Sequence, residues 1–134
     1  MSDQADGKRG RVEWWALTVD CPDPGVMAEF YVALLGGHVT RQTADETNVD
    51  AGGMPLNFRS VADFRPPTWP TSEVPLHSHF DYVVEDPEAL AEELLGLGGT
   101  LAAHQDQANR NLVVVLDPAG HPFCLLRSSA ARRF

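Results

Sequence analysis

Val19-Asp20-Cys21-Pro22-Asp23-Pro24-Gly25-Val26-Met27-Ala28-Glu29-Phe30-Tyr31-Val32-Ala33-Leu34-Leu35-Gly36-Gly37 is answered later in the chain by Val83-Val84-Glu85-Asp86-Pro87-Glu88-Ala89-Leu90-Ala91-Glu92-Glu93-Leu94-Leu95-Gly96-Leu97-Gly98-Gly99. Each stretch is the end of an apolar strand, an Asp-Pro pair, an amphipathic helix and a Gly-Gly stop, the first copy being one residue longer between its Asp-Pro and Gly-Gly pairs. Asp23 and Asp86 are N-caps, and the prolines behind them occupy the first helical position, where a missing N–H costs nothing. Val26, Met27, Phe30, Tyr31, Leu34 and Leu35 recur at helical spacing, and Gly36-Gly37 ends the run. A unit that repeats itself constrains the fold more than any single residue does.

Working outward, each copy carries the same plan. Glu13–Asp20 alternates as a strand, and His38–Arg41, Thr47–Asp50 and Pro55–Val61 are three short strands behind the first helix. In the second copy Leu76–Glu85 is the leading strand and Pro87–Leu97 the helix. Thr100–Ala103, Leu112–Leu116 and Pro122–Leu126 follow, the last two joined by the turn Asp117-Pro118-Ala119-Gly120. The expected fold is α+β, two βαβββ modules paired into a cup-shaped mixed sheet. A ferredoxin-like sandwich shares many of these local signals, but the repeat and the long connector favour the paired modules.

The expected domain covers residues 12–127: module one at 12–61, a connector at 62–75 and module two at 76–127, with tails at 1–11 and 128–134. The connector holds four of the ten prolines, and its Trp69 reads either as a lid over the cup or as a hydrophobic staple.

Nineteen acidic residues against ten Lys and Arg leave a formal charge of −9, a field that repels phosphate backbones and anionic lipid, so no nucleic-acid or membrane partner is expected. With 43% hydrophobic and 22% charged residues the composition is that of a globular domain rather than a disordered chain. Only two cysteines, Cys21 and Cys124, make no disulfide framework. With a polar start lacking an apolar signal region, they point to a cytoplasmic protein.

Strand alternation assigns faces. Trp15, Leu17 and Val19 should pack under the helices, leaving Trp14, Ala16 and Thr18 toward the cup. Asn57 and Arg59 face the cup from one strand, His77, His79, Asp81 and Val83 from another, and Cys124 and Leu126 from the last. The expected ligand-binding set is Trp14, Thr18, Asn57, Arg59 and Cys124, a few polar groups in a largely apolar cavity. His79 and Asp81 are the expected catalytic pair, with Asp81 expected to pair with Arg59 or an N–H, since a buried carboxylate needs a partner.

Val19-Asp20-Cys21-Pro22-Asp23-Pro24, the helix ending in Leu34-Leu35-Gly36, the strand His79-Phe80-Asp81 and the closing Asp117-Pro118-Ala119-Gly120-His121-Pro122-Phe123-Cys124 resemble the glyoxalase/bleomycin-resistance/extradiol-dioxygenase (vicinal oxygen chelate) superfamily, in particular its small glyoxalase-like members. The resemblance implies the cup, a tendency to homodimers, and a range of activities that runs from isomerisation and ring cleavage to drug sequestration, so that fold alone does not name the reaction. It also implies metal ligands from four strands, which fall here on Trp14, Asn57, His79 and Cys124. Only His79 fits that pattern; a site rearranged onto His77, His79 and Asp81 converges poorly. No cofactor is assigned, and a divalent metal through His79 stays open. Three functions follow: a lyase or isomerase using His79 and Asp81 on a small organic molecule, a non-catalytic small-molecule (drug or antibiotic) sequestering protein, or a metal-dependent lyase or dioxygenase with an unusual site.

Overall fold

A computed structural model describes residues 10–130. Both Asp-Pro pairs open helices as the sequence requires. Asp23 and Asp86 adopt nearly the same extended conformation (φ −135° and −134°) and accept hydrogen bonds from the N–H groups of Val26 and Ala89 at 3.3 and 3.1 Å. Such a cap is worth about 1 kcal/mol. The elements are β1 (Leu17–Cys21), α1 (Pro24–Leu35), β2 (Gly37–Gln42), β3 (Glu46–Ala51), β4 (Met54–Ser60), β5 (Asp81–Val84), α2 (Pro87–Leu95), β6 (Thr100–Leu101), β7 (Leu112–Leu116) and β8 (Pro122–Arg127).

They form two four-stranded mixed sheets of identical plan, β1-β4-β3-β2 and β5-β8-β7-β6. In each the first strand lies parallel to the last and the others are antiparallel. The duplicated βαβββ arrangement is therefore present, without the ferredoxin-like alternative. Among the described residues no strand of one sheet pairs with a strand of the other, so the modules meet by packing. Gly37 shows why the first helix must stop on glycine: its φ is 112°, and a Cβ there would lie 1.8 Å from the Asp50 carbonyl oxygen.

The leading strands are shorter than the alternation predicted. β1 begins at Leu17 rather than Glu13, and β5 at Asp81 rather than Leu76. The reason is in their partners. β1 pairs with β4 from Leu17↔Leu56, and the preceding β4 residue is Pro55; β5 pairs with β8 from Asp81↔Cys124, just beyond Pro122. A proline offers no N–H to extend a ladder. Trp14 and Trp15 consequently precede the strand and are 72% and 59% exposed, so Trp14 forms no wall of a cavity and Trp15 does not pack under a helix. Residues 62–75 carry no helix or strand, and Trp69 packs edge-on against His104 at 5.2 Å, a tie to the loop between β6 and β7. The outer parts of both expected tails, residues 1–9 and 131–134, lie outside the described residues.

One core serves both modules. Phe30 and Tyr31 of α1 reach across to the second sheet: Tyr31 stacks on Phe58 at 5.4 Å and meets Phe80 at 6.0 Å, while Phe30 lies 6.0 Å from Phe123. Burying each such ring contributes about 1.5–3 kcal/mol. Two polar links fix the relative position of the modules. The Tyr31 hydroxyl donates to Asp117 Oδ2 at 2.7 Å, and His121 Nε2 lies 2.8 Å from the Asp20 carbonyl oxygen. Because that carbonyl only accepts, Nε2 carries the hydrogen. His121 thus serves the joint between modules, in keeping with its place in a turn.

Tyr31→Phe keeps the ring and strands a buried carboxylate oxygen. Urea unfolding of this variant is expected to show a loss of about 1–3 kcal/mol, with the denaturant slope unchanged.

Candidate functional site

The face of each sheet turned away from its helix is where polar side chains collect. On the first sheet Val49, Leu56 and Phe58 are buried beneath α1, which leaves Asn48 and Asn57 on the other side. Thr18, beside Asn57 in the β1–β4 register, completes a ladder: Asn48 Nδ2 donates to Asn57 Oδ1 at 2.8 Å, and Asn57 Nδ2 to Thr18 Oγ1 at 3.3 Å. Thr18 and Asn57 therefore meet, as their shared face predicted. Asn48 had no motif to announce it; only its register opposite Asn57 brings it in. Arg59 does not turn toward Asp81. It donates to Asp20, its register neighbour on β1, through Nε at 3.1 Å and Nη2 at 2.9 Å.

On the second sheet the equivalent positions hold different chemistry. Asp81 stands five residues before its N-cap Asp86, as Thr18 stands before Asp23. Asp81 and Cys124 are register partners, as Thr18 and Asn57 are. His79 precedes the strand on extended chain, so the two-residue spacing puts it on the same side as Asp81, with Nε2 3.2 Å from Asp81 Oδ1. One ligand atom from each of His79, Asp81 and Cys124 lies within 4.8 Å of the others. The carboxylate expected to find Arg59 is instead partnered by an imidazole and a thiol. His77 is not part of this cluster; it lines a separate hollow with Phe64, Arg65 and Pro75 of the connector.

Burial raises the Cys124 thiol to about 11, helped by the Asp81 charge and by the hydrogen bond the thiol donates to it. Cys124 is thus a neutral donor at pH 7. Its raised pKa stabilises the folded chain fully below about 9, the unfolded value, and that contribution fades as pH rises through 11.

The donor set passes a chemical test for a metal. An imidazole nitrogen, a carboxylate oxygen and a sulfur suit zinc or another late divalent transition ion rather than magnesium or calcium, and three protein ligands leave a position open. The ligand set implied by strand correspondence does not form: Trp14 is exposed and has no donor for a metal, and Asn57 is engaged by Asn48 and Thr18. Two of its four positions, His79 and Cys124, do converge, and Asp81 joins them in place of Trp14 and Asn57.

Next to this face a crevice of about 350 Å³ opens between the modules. Thr18 and His79 line it together with the buried Tyr31 and Asp117. Asp117 is 3% exposed. Its carboxyl is pushed above the ordinary range by burial, against which the His121 charge and the hydrogen bonds from Tyr31, His121 and Ala119 pull it down. Burial also raises the phenols of Tyr31 and Tyr82, with the Asp117 charge adding to both.

A model of the glyoxalase-like domain matches residues 16–126. No curated protein sequence matches the chain. Among solved structures, a glyoxalase family protein from Enterococcus faecalis is 22% identical, with a TM-score of 0.62, over 86% of this chain and 97% of that one. The fosfomycin resistance protein FosX from Listeria monocytogenes is 11% identical, with a TM-score of 0.63, over 87% and 93%. A glyoxalase-related enzyme from Fulvimarina pelagi is 19% identical, with a TM-score of 0.60, over 87% and 88%. At these identities the structural likeness carries the fold alone. No helix among the described residues is long and apolar enough to cross a membrane.

Asp81→Asn removes the charge that adds to the Cys124 shift and leaves the burial. The pH profile of Cys124 alkylation by iodoacetamide, read by intact mass in a Cys21→Ala background, is expected to move to lower pH while its midpoint stays above 9. An unmoved profile would mean that burial alone sets the shift.

Proposed function

The chain belongs to the glyoxalase-like domain family, and from that premise we propose that it is a lyase or isomerase acting on a small organic molecule at His79, Asp81 and Cys124, with a divalent transition metal held by these three side chains. The observation that carries this reading is the convergence of nitrogen, oxygen and sulfur donors within 4.8 Å on one face of the second sheet. When bound, the metal supplies a Lewis acid for an oxygen of the substrate. The remaining work falls to the chain. His79 and Cys124 hold position through Asp81, whose carboxylate they flank from an extended segment and a paired strand. One Asp81 oxygen suffices for ligation, and the other accepts a proton from carbon or oxygen, a general-base contribution of about 10²–10⁴-fold. Thr18 and Asn57 offer neutral hydrogen bonds from the corresponding positions of the first module.

Metal uptake must expel the Cys124 proton, so affinity rises with pH up to about 11 and each metal bound releases a proton. Titration with cobalt(II) is expected to produce a thiolate-to-metal charge-transfer absorption that Cys124→Ser abolishes. His79→Ala and Asp81→Ala should weaken binding by more than the 10–100-fold typical of losing an outer-shell partner. A cobalt-silent protein would remove the metal from the proposal and leave Asp81 and His79 as an acid–base pair.

A second copy of the chain completes the reading. β1 is the edge strand of its sheet, and Trp14 and Trp15 stand exposed where it begins. Trp15→Lys is expected to shift sedimentation from dimer to monomer; an unchanged sedimentation coefficient would place any interface elsewhere.

A further inference from the structure

The crevice between the modules has a composition that the donor cluster does not explain. Its walls include the apolar side chains of Leu17, Val19, Phe80 and Pro122 and the buried Asp117 carboxylate. No Lys or Arg side chain lines it. Asp20, the other acid on its wall, is already paired with Arg59.

Asp117 has acceptor capacity in reserve. Oδ1 accepts the N–H groups of Ala119 at 2.9 Å and His121 at 3.0 Å, and Oδ2 accepts the Tyr31 hydroxyl at 2.7 Å. A carboxylate offers about four lone-pair sites, so one remains on Oδ2. Three neutral donors orient this carboxylate, and among the described side chains lining the crevice only the imidazoles of His79 and His121 can carry positive charge. The chain as a whole carries a formal charge of −9, which favours the approach of cations. A cavity of this size lies at the small end of the range for organic ligands.

We propose that the crevice binds a small organic cation, a protonated amine on an apolar body, with the ammonium on Asp117 and the body between Leu17 and Phe80. The acceptors around it suit an ammonium, which carries donors only: the free lone pair of Asp117 and the hydroxyl oxygens of Thr18 and Ser78. An anionic ligand of the same shape meets Asp117 and Asp20 and is refused. His79 lines the crevice as well as belonging to the donor cluster, so a bound amine sits beside that cluster without using Asp81 or Cys124.

The test uses benzylammonium, benzyl alcohol and benzoate as probes, titrated calorimetrically at pH 7 and low salt into the full chain. Benzylammonium is expected to bind at least about tenfold more tightly than the alcohol, the effect of one modest charge pair, and benzoate not at all. Asp117→Asn should erase the preference for the cation. Because that variant disturbs a buried hydrogen-bonded turn, Leu17→Trp provides a second arm: a bulkier side chain at the half-open wall should weaken the amine and the alcohol alike. Equal affinity for the two, unchanged binding in Leu17→Trp, or no binding of any probe would each overturn the proposal. Cobalt titration of the same proteins separates this idea from the metal reading. Asp117→Asn should lose the amine and keep cobalt, whereas Asp81→Asn should weaken cobalt and keep the amine.

Discussion

The hydrogen bond from Tyr31 to Asp117 is the constraint on which the rest of the molecule depends. It ties the first helix to the turn between the last two strands, so it joins the modules through the middle of the shared core. Among the described residues the Tyr31 hydroxyl has no other partner, and Oδ2 of Asp117 has no other protein donor. Both are almost wholly buried, and a phenol or a carboxylate taken out of water without a partner costs several times what the finished bond contributes. Around this bond the aromatic rings of Phe30, Phe58, Phe80 and Phe123 close from both sheets, and His121 adds its link to the Asp20 carbonyl. The same two side chains line the crevice. A structural joint and part of a cavity wall are therefore one piece of chemistry.

The duplication has been used unevenly. At equivalent positions the first sheet presents a neutral ladder, Thr18, Asn57 and Asn48, in which each amide satisfies its neighbour. The second presents Asp81 and Cys124, with His79 reaching in from the chain ahead of the strand. The second sheet brings an acid, a thiol and an imidazole within 4.8 Å of one another. Functional asymmetry thus arises from side chains alone, on two backbones of nearly identical plan.

Much of the architecture was legible in the sequence. The Asp-Pro caps, the first Gly-Gly stop and the Asp117-Pro118-Ala119-Gly120 turn act through local backbone chemistry and appear where they were expected, whereas α2 ends at Leu95 with Gly96 as its cap, ahead of Gly98-Gly99. The starts of β1 and β5 were overextended because alternation records which faces a chain segment prefers, not whether a neighbouring strand has an N–H to offer. Pro55 and Pro122 withhold it, and Trp14 and Trp15 are left exposed as a result. At the site, Thr18 with Asn57 and His79 with Asp81 could be grouped by shared face. The pairing of Arg59 with Asp20, the direct contact of Cys124 with Asp81, the part played by Asn48 and the absence of His77 from the donor cluster could not. Each depends on lateral register or on the path of a loop.

By itself the sequence determined the repeated βαβββ units, the start of each helix and the faces of the paired strand residues, because capping and side-chain alternation operate within a few residues. Only the tertiary structure decided which side chains across those faces touch. It set Cys124 beside Asp81, gave the Asp117 carboxylate to Tyr31 and opened a crevice above them. Contacts between residues 86 positions apart, as Tyr31 and Asp117 are, follow from how two sheets pack on one helix, and that packing is settled by the whole core at once.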